Sequence, residues 1–196
     1  MMNVIYILFS YLIGAISFGI LISHMFSLPD PRTIGSKNPG ATNVFRSGKK
    51  LAALFTLLGD ALKGAFSVGL AQYFELSPLM VGLIAIATMI GHIFPVYYGF
   101  KGGKGVATAA GMFFMFSWVM GLTAMAIWLG VFLIWRYSSL AAVIAGSLSP
   151  AIGFFYGIDF YELIASSVIA LILILRHIDN IKRLIDGTES GFKDKK

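Results

Sequence analysis

The sequence predicts an all-α integral membrane protein, and three features support this prediction. The chain has 196 residues, of which 58% are hydrophobic and only 12% are charged, whereas soluble domains carry about 25% charged residues. Its apolar residues form runs about as long as a helix needs to cross a bilayer. Polar segments rich in glycine and cations separate some of these runs. We therefore expect one membrane-embedded helical domain over residues 1–196.

Seven membrane-spanning helices in one compact bundle are predicted. A span needs about 20 apolar residues at a rise of about 1.5 Å each, and fewer inside a bundle. The predicted spans cover residues 3–22, 51–73, 78–97, 106–116, 118–135, 138–156 and 161–175. The first run has no preceding basic segment and no small-residue cleavage site, so we expect a retained helix rather than a signal peptide. The fourth is short, and its fusion with the fifth would leave five or six helices.

The distribution of cations favours seven helices with an external N-terminus and a cytoplasmic C-terminus. Cytoplasmic loops collect Lys and Arg, and seven spans put every cation outside the apolar runs on one side. These cations are Arg32, Lys37, Arg46, Lys49, Lys50, Lys101, Lys104, Arg136 and those of residues 176–196. The opposite turns carry Glu75, Asp159 and Glu162 without a cation. Six helices would place the basic tail outside.

Local residues mark the ends of two predicted helices. Ser77-Pro78 reads as an N-cap followed by a proline at the first helical position. Asp159 and Glu162, three residues apart, have the spacing of a capping box.

Some intramembrane residues are expected to serve packing. Ser10 and Gly14 have the four-residue spacing of small residues that lets helices approach closely. Asp60 and Lys63 share a face of the second predicted helix. Because intramembrane ions are usually paired, we expect a salt bridge, with a proton or ion path as the alternative.

Composition narrows the classes of function. The chain has no cysteine, which excludes disulfides, thiolate nucleophiles and Cys-containing metal sites. Its net charge of +6 lies in loops beside apolar runs. This placement favours anionic lipid headgroups and a phosphorylated substrate as partners over nucleic acid.

The first polar segment, residues 36–46, has the sequence SKNPGATNVFR. Pro39-Gly40 forces a turn, and the residues that follow offer consecutive backbone N–H groups for an anion. The ligand-binding candidates are Ser36, Lys37, Asn38, Gly40, Ala41, Thr42, Asn43 and Arg46. The alternative is an ordinary connecting loop.

The second segment, residues 99–105, has the sequence GFKGGKG and leads directly into a predicted helix. Gly102, Gly103, Lys104 and Gly105 would enclose an anion at the helix N-terminus. The segment is not a P-loop, because Gly105 stands where Ser or Thr belongs. His92, before Pro95, is expected to orient this loop through a backbone carbonyl.

The third segment, residues 176–183, has the sequence RHIDNIKR. If the helix continues, His177 and Asn180 share one face and reach the same ligand. His177 is either structural or catalytic. The following residues, which include Glu189, could fold back as a polar lid.

These three segments, in this order, are similar to the motifs of a known family. Ser-x-Asn-Pro-Gly-Ala-Thr-Asn, Gly-His-x-Phe-Pro with Lys-Gly-Gly-Lys-Gly-Val-Ala-Thr, and Arg-His with Asn three residues after the His are all present. Across nearly its whole length the chain resembles the bacterial acyl-phosphate-dependent glycerol-3-phosphate acyltransferases, the PlsY family. The resemblance implies transfer of a fatty acyl group from acyl phosphate to the 1-hydroxyl of glycerol 3-phosphate. This is the first step of phospholipid synthesis, at the inner membrane with the active site facing the cytoplasm.

The resemblance also implies a set of site residues. Ser36, Arg46, Lys104, His177 and Asn180 would surround glycerol 3-phosphate and the scissile carbonyl, with residues 40–43 around a phosphate. Ser36, Lys104, His177 and Asn180 are the catalytic candidates, and Glu189 is among the substrate-binding ones. Either His177 or the substrate phosphate would accept the proton. The soluble enzyme that makes acyl phosphate is a further candidate partner.

The residues fit this chemistry independently. Acyl phosphate is an activated anhydride, so the reaction needs no enzyme nucleophile, metal or cofactor, only positioning and charge stabilisation. The chain has no G-x-S-x-G elbow and no His-x4-Asp motif, which disfavours acyl-CoA as donor. A transporter or binder of phosphorylated solutes is the alternative, although transporter sites usually lie near mid-bilayer between repeated halves.

Overall fold

A computed structural model describes residues 2–192, which form helices joined by turns and loops, with no β-strand among them. The last four residues of the predicted basic tail lie outside the described part. The described residues form ten α-helices: α1 (Met2–Gly14), α2 (Phe18–Met25), α3 (Ala41–Arg46), α4 (Lys50–Tyr73), α5 (Pro78–Ile93), α6 (Val106–Phe116), α7 (Trp118–Trp135), α8 (Ser138–Phe155), α9 (Phe160–Arg176) and α10 (Ile178–Ile185). A 3-10 turn, Val96–Tyr98, follows α5.

The described helices include four that are long and apolar enough to cross a membrane. They are α4, α5 with its 3-10 turn, α7 and α8. Two bent pairs, α1 with α2 and α9 with α10, raise the number to six. Helix α6 has 11 residues, about 16 Å at the helical rise, against a hydrocarbon core of about 30 Å. The all-α membrane fold is confirmed, while the count of seven spans and the orientation of the termini stay predictions.

The first predicted span is not one straight helix. Helix α1 ends at Gly14, and α2 begins at Phe18 after a bend of 43°. Ser17, which precedes α2, is extended, with φ −89° and ψ 98°. The span predicted over residues 3–22 is therefore broken into two helices. The apolar run continues across the break, so hydropathy did not reveal it.

Glycines allow the helices to approach closely. A Cβ at Gly14 would overlap the backbone of Thr88 in α5, and one at Gly91 would overlap the carbonyl oxygen of Tyr11 in α1. In the same way Gly64 of α4 lies against the backbone of Thr108 in α6. The predicted packing role of Gly14 is confirmed.

The central core is formed by α4, α5, α6, α7 and α9. Its fully buried large side chains include Ile84, Met89, Met112, Met120 and Ile169. Helix α7 contributes Met120 and Ala124 to this core, and its other side exposes large apolar residues such as Trp118, Leu129 and Leu133. An apolar periphery around a packed core is what a bilayer-embedded bundle requires.

The helix ends were predicted in part correctly. Asp159 caps α9, since its carboxylate accepts the backbone N–H of Tyr161 at 2.8 Å. Ser77 occupies the N-cap position of α5 with Pro78 following it, but its hydroxyl makes no capping bond.

Candidate active site

The three polar segments meet at one end of the bundle, beside the start of α8. Thr42 Oγ1 of the first segment lies 3.1 Å from Ser138 Oγ. Lys104 of the second segment donates through Nζ to Asn180 Oδ1 of the third. Ser139 donates to Glu189 of the tail at 2.6 Å. The first residues of α8 therefore join the first segment to the tail.

The first segment is held by the side chain of Asn43, which is 1% exposed. Its Oδ1 accepts the backbone N–H of Ser36 at 3.0 Å. Its Nδ2 donates to the carbonyl oxygens of Pro31 at 2.7 Å and Ile34 at 3.0 Å. Both amide hydrogens are thus already used within the protein, and Asn43 fixes the path of the loop.

The turn predicted at Pro39-Gly40 opens the short helix α3. Gly40 is its N-cap and Ala41 its first residue, and the Gly40 carbonyl accepts the N–H groups of Asn43 and Val44. A Cβ at Gly40 would lie 2.7 Å from Asn38 Nδ2, so the missing side chain makes room for this amide.

The two cations of the first segment and the Ser36 hydroxyl face outward. Ser36, Lys37 and Arg46 are exposed, and Lys37 adopts a φ of 56°. Arg46 donates through Nη2 to the carbonyl oxygen of Ser190 at 2.9 Å. The segment thus offers accessible charge beside the tail.

The second segment folds back onto the end of α5. The N–H of Gly102 donates to Ile93 O at 3.1 Å, and that of Gly103 donates to His92 O at 3.2 Å. A Cβ at Gly102 would overlap the His92 carbonyl, and one at Gly103 would overlap the His92 ring. Gly105, at φ 87°, then starts α6. The predicted orientation of the loop by the His92 carbonyl is confirmed.

Lys104 is the half-buried cation at the centre of the site. Burial lowers its pKa from 10.5 to about 8, although the Glu189 carboxylate acts in the opposite direction. The charges of Arg183 and Arg176 contribute to this lowering of the Lys104 pKa. A cation whose charge is so poorly compensated is well suited to a ligand that brings negative charge.

His177 lies at the 55° bend between α9 and α10 and is 3% exposed. Its Nδ1 lies 2.8 Å from Leu173 O, and since a carbonyl only accepts, this nitrogen carries the proton and Nε2 does not. Burial lowers the pKa of His177 to about 4, and the charge of Lys104 also lowers it. The imidazole is therefore neutral at physiological pH. Asn180, one turn on, is buried as well.

The tail folds back over the site through Glu189. The carboxylate accepts from Ser139 Oγ at 2.6 Å, from Asn180 Nδ2 at 2.6 Å and from Arg183 Nε at 2.7 Å. Burial would raise the pKa of Glu189, but these three hydrogen bonds hold it below its usual value. Glu189 thus orients Asn180, whose Oδ1 accepts from Lys104.

An aromatic contact completes the lid. The Phe192 ring lies 5.2 Å from that of Phe45 and 5.3 Å from that of Phe132, and its N–H donates to Arg136 O at 2.9 Å. The tail therefore folds back over the site, as predicted for a polar lid. Its apolar contact through Phe192 was not predicted from the sequence.

Other residues were missed. Ser138 and Ser139 contact site residues, yet a serine at a helix start is usually interpreted as an N-cap. Arg183 lies in the third segment but was not among the predicted site residues, and it binds Glu189. A groove of about 250 Å³ lies between α7 and α8 at the other end of α8, near Thr123 and Phe155.

Residues 2–192 contain no group of three acidic or histidine side chains that could hold a metal ion.

Comparisons with known proteins agree with this architecture. The family model described as glycerol-3-phosphate acyltransferase matches residues 4–187. A relative from Methylobacillus flagellatus, named glycerol-3-phosphate acyltransferase, is 52% identical over 195 residues and covers 100% of both chains.

Two crystal structures of PlsY, an integral membrane glycerol 3-phosphate acyltransferase, are similar to the whole chain. The glycerol 3-phosphate form has a TM-score of 0.93 at 37% identity and covers 98% of this chain and 96% of that one. The lysophosphatidic acid form has a TM-score of 0.92 at 36% identity with the same coverage. The chain belongs to the glycerol-3-phosphate acyltransferase family.

Proposed function

We propose that this protein transfers a fatty acyl group from acyl phosphate to the 1-hydroxyl of glycerol 3-phosphate. The products are 1-acyl-glycerol 3-phosphate and inorganic phosphate. The observation that carries the proposal is the convergence of Lys104, Asn180 and the two glycine-containing segments at one end of the bundle. The related PlsY structures are in a glycerol 3-phosphate form and a lysophosphatidic acid form, which correspond to acceptor and product.

The proposed chemistry is a direct displacement. The glycerol hydroxyl oxygen bonds to the acyl carbonyl carbon, the bond from that carbon to the phosphate oxygen breaks, and phosphate leaves with the electron pair. The hydroxyl proton goes to a base. Because the donor is already activated, the protein contributes by positioning two anions and stabilising charge on the carbonyl oxygen.

Lys104 and Arg46 neutralise phosphate charge in this scheme. Lys104 is partly shielded from water, so a bound phosphate would take the place of solvent beside its ammonium group. Arg46 is exposed beside the tail. Arginine can bind phosphate with two parallel hydrogen bonds, whereas lysine acts as a point charge. Ser36 and Asn180 would orient the attacking hydroxyl.

The proton is best assigned to the donor's own phosphate. His177 has a pKa of about 4, which makes its free Nε2 a weak base, whereas the donor's phosphate gains negative charge, and therefore basicity, as its bond to the acyl carbon breaks. A base works best when its pKa lies near the operating pH. We therefore assign His177 a positioning role, with its ring fixed by Leu173 O.

The remaining candidates have different proposed roles. Gly40, Ala41 and Thr42, with Lys37 and Asn38, would surround one phosphate, while Gly102, Gly103 and Gly105 let the backbone approach the other. Asn43 and Glu189 act through their neighbours, because their polar atoms are already engaged by the loop and by Ser139, Asn180 and Arg183.

We place the protein in the bacterial inner membrane with the site on the cytoplasmic face, where the loop cations lie under the positive-inside rule. The acceptor would arrive from the cytoplasm. The acyl donor would arrive from the bilayer or from the soluble enzyme that makes it.

The test is a phosphate-release assay with purified protein. We expect release of inorganic phosphate that depends on both acyl phosphate and glycerol 3-phosphate. With acyl-CoA as donor, where the leaving group would be CoA, we expect no formation of 1-acyl-glycerol 3-phosphate. Lys104→Ala should abolish it, whereas Lys101→Ala, a matched change in the same loop at an exposed position, should retain it. Uptake of glycerol 3-phosphate into vesicles without acyl transfer would instead establish a transporter.

A further inference from the structure

A cluster of three buried polar side chains lies inside the bundle, behind the second segment. Lys63 Nζ lies 2.9 Å from Asp60 Oδ1, with side chains 2% and 4% exposed. His92 Nδ1 lies 3.7 Å from the same carboxylate oxygen and is also buried. The predicted salt bridge is confirmed, and it has a third member from another helix.

The cluster connects four parts of the fold. Lys63 of α4 donates to Ile16 O at 2.6 Å, in the break between α1 and α2. His92 of α5 lies 3.2 Å, through Nδ1, from Thr108 Oγ1 of α6. The imidazole thus contacts Thr108 and Asp60 through Nδ1, and Lys63 is held by Asp60 and by Ile16 O.

His92 also forms the floor of the loop that carries Lys104. Its carbonyl oxygen accepts the N–H of Gly103 at 3.2 Å. A Cβ at Gly103 would overlap its Nε2, and one at Gly105 would lie 3.9 Å from its Cδ2. Lys104 stands between these two glycines, so the imidazole supports the backbone on both sides of it.

We propose that His92, held in place by the Asp60–Lys63 pair, is a positioning residue that aligns Lys104 for the reaction. This inference rests on the role proposed for Lys104. None of the three cluster members bonds to Lys104 directly, and they act through the backbone of residues 102–105. A pair that only locked helices together would not need an imidazole against Gly103.

The expected loss of catalytic rate in His92→Ala follows from the geometry of the loop. Removal of the ring in His92→Ala leaves the Gly103 and Gly105 backbone without its support, and a displacement of about 1 Å at a reacting group costs on the order of 100-fold in rate. We expect His92→Ala to lower kcat by about tenfold to 100-fold. His92→Gln places an amide near the position of Nε2 and should recover part of this loss.

Ile84→Ala is the matched control. Ile84 is on the same helix, is 2% exposed and belongs to the apolar core away from the loop. Its truncation opens a cavity and lowers thermal stability, but we expect kcat to stay within about twofold of wild type, since no positioning contact is lost. If His92→Ala and Ile84→Ala lower kcat equally, or if neither does, the positioning role is refuted.

A second readout needs no catalysis. The purified protein is treated with a small amine-reactive reagent, and modification of Lys104 is followed by mass spectrometry with Lys101 of the same chain as internal reference. His92→Ala should increase the rate at Lys104 relative to Lys101, and Ile84→Ala should not. Gly103→Ala should also increase the rate of Lys104 modification. Combined with His92→Ala it should add little, because the ring that the new Cβ would overlap is absent. An unchanged Lys104 rate in His92→Ala overturns the inference even if acyl transfer is never detected, so its failure is distinct from that of the proposed function.

Discussion

The lowered pKa of Lys104 predicts an unusual alkaline limit of activity. At pH 9 an amine of pKa about 8 is protonated in only about one molecule in eleven, whereas at the ordinary value of 10.5 nearly all molecules would be protonated. Only the protonated form attracts phosphate. We expect kcat/KM for glycerol 3-phosphate to fall about tenfold per pH unit above pH 8.

Ionisation of the phosphate of glycerol 3-phosphate does not cause this alkaline limit of kcat/KM. Phosphate esters are fully dianionic above about pH 7, because their second pKa is about 6. In the complex the bound phosphate favours the ammonium form, so the profile of kcat should extend to higher pH than that of kcat/KM.

The assay is initial-rate phosphate release between pH 6 and pH 10, with acyl phosphate alone as the blank. Lys104→Arg is the matched variant, since the pKa of arginine exceeds about 12; its kcat/KM should stay level to pH 10, from a lower starting value. If wild-type kcat/KM is level to pH 9.5, or if Lys104→Arg shows the same decline, Lys104 is not the group that titrates.

Three further changes have defined outcomes. His177→Gln should keep kcat within a few-fold of wild type, because an imidazole of pKa about 4 is a poor base. A loss of about 100-fold or more in the phosphate assay would instead show that His177 is the general base. Lys63→Met should cost about 3–5 kcal/mol by leaving Asp60 buried without its partner, and Asp60→Asn combined with it should recover most of this in thermal unfolding. Phe192→Ala removes two aromatic contacts of the lid, each of which stabilises it by about 1 kcal/mol. We expect the KM for glycerol 3-phosphate to rise about fivefold. An unchanged KM would mean that the tail does not close over the acceptor.

The glycine loop could be predicted because its signal is local. Only glycine fits at Gly102 and Gly103, where a Cβ would overlap His92, and a lysine between glycines at a helix start is a recognisable anion site. The lid was predictable for a similar reason, since a polar stretch after the last apolar run must lie at the membrane surface.

The roles of Asn43 and Ser139 were not predictable in the same way. A side-chain amide can bind a ligand or clamp a loop, and at Asn43 the choice depends on the carbonyls of Pro31 and Ile34. Ser139 bonds a carboxylate 50 residues away in the chain. Neither partner can be identified without the tertiary fold, and the bend between α1 and α2 has no hydropathy signal.

The spacing of Asp60 and Lys63 has a consequence for biogenesis. The two residues lie three apart near the middle of α4, so their ion pair forms within a single helix. Each charge alone would cost about 2.5–3.5 kcal/mol at the centre of an inserting helix. Because both partners lie in one helix, their pairing lowers this cost without a contribution from a neighbouring helix, and the bond from Lys63 to Ile16 adds a contact to the break between α1 and α2.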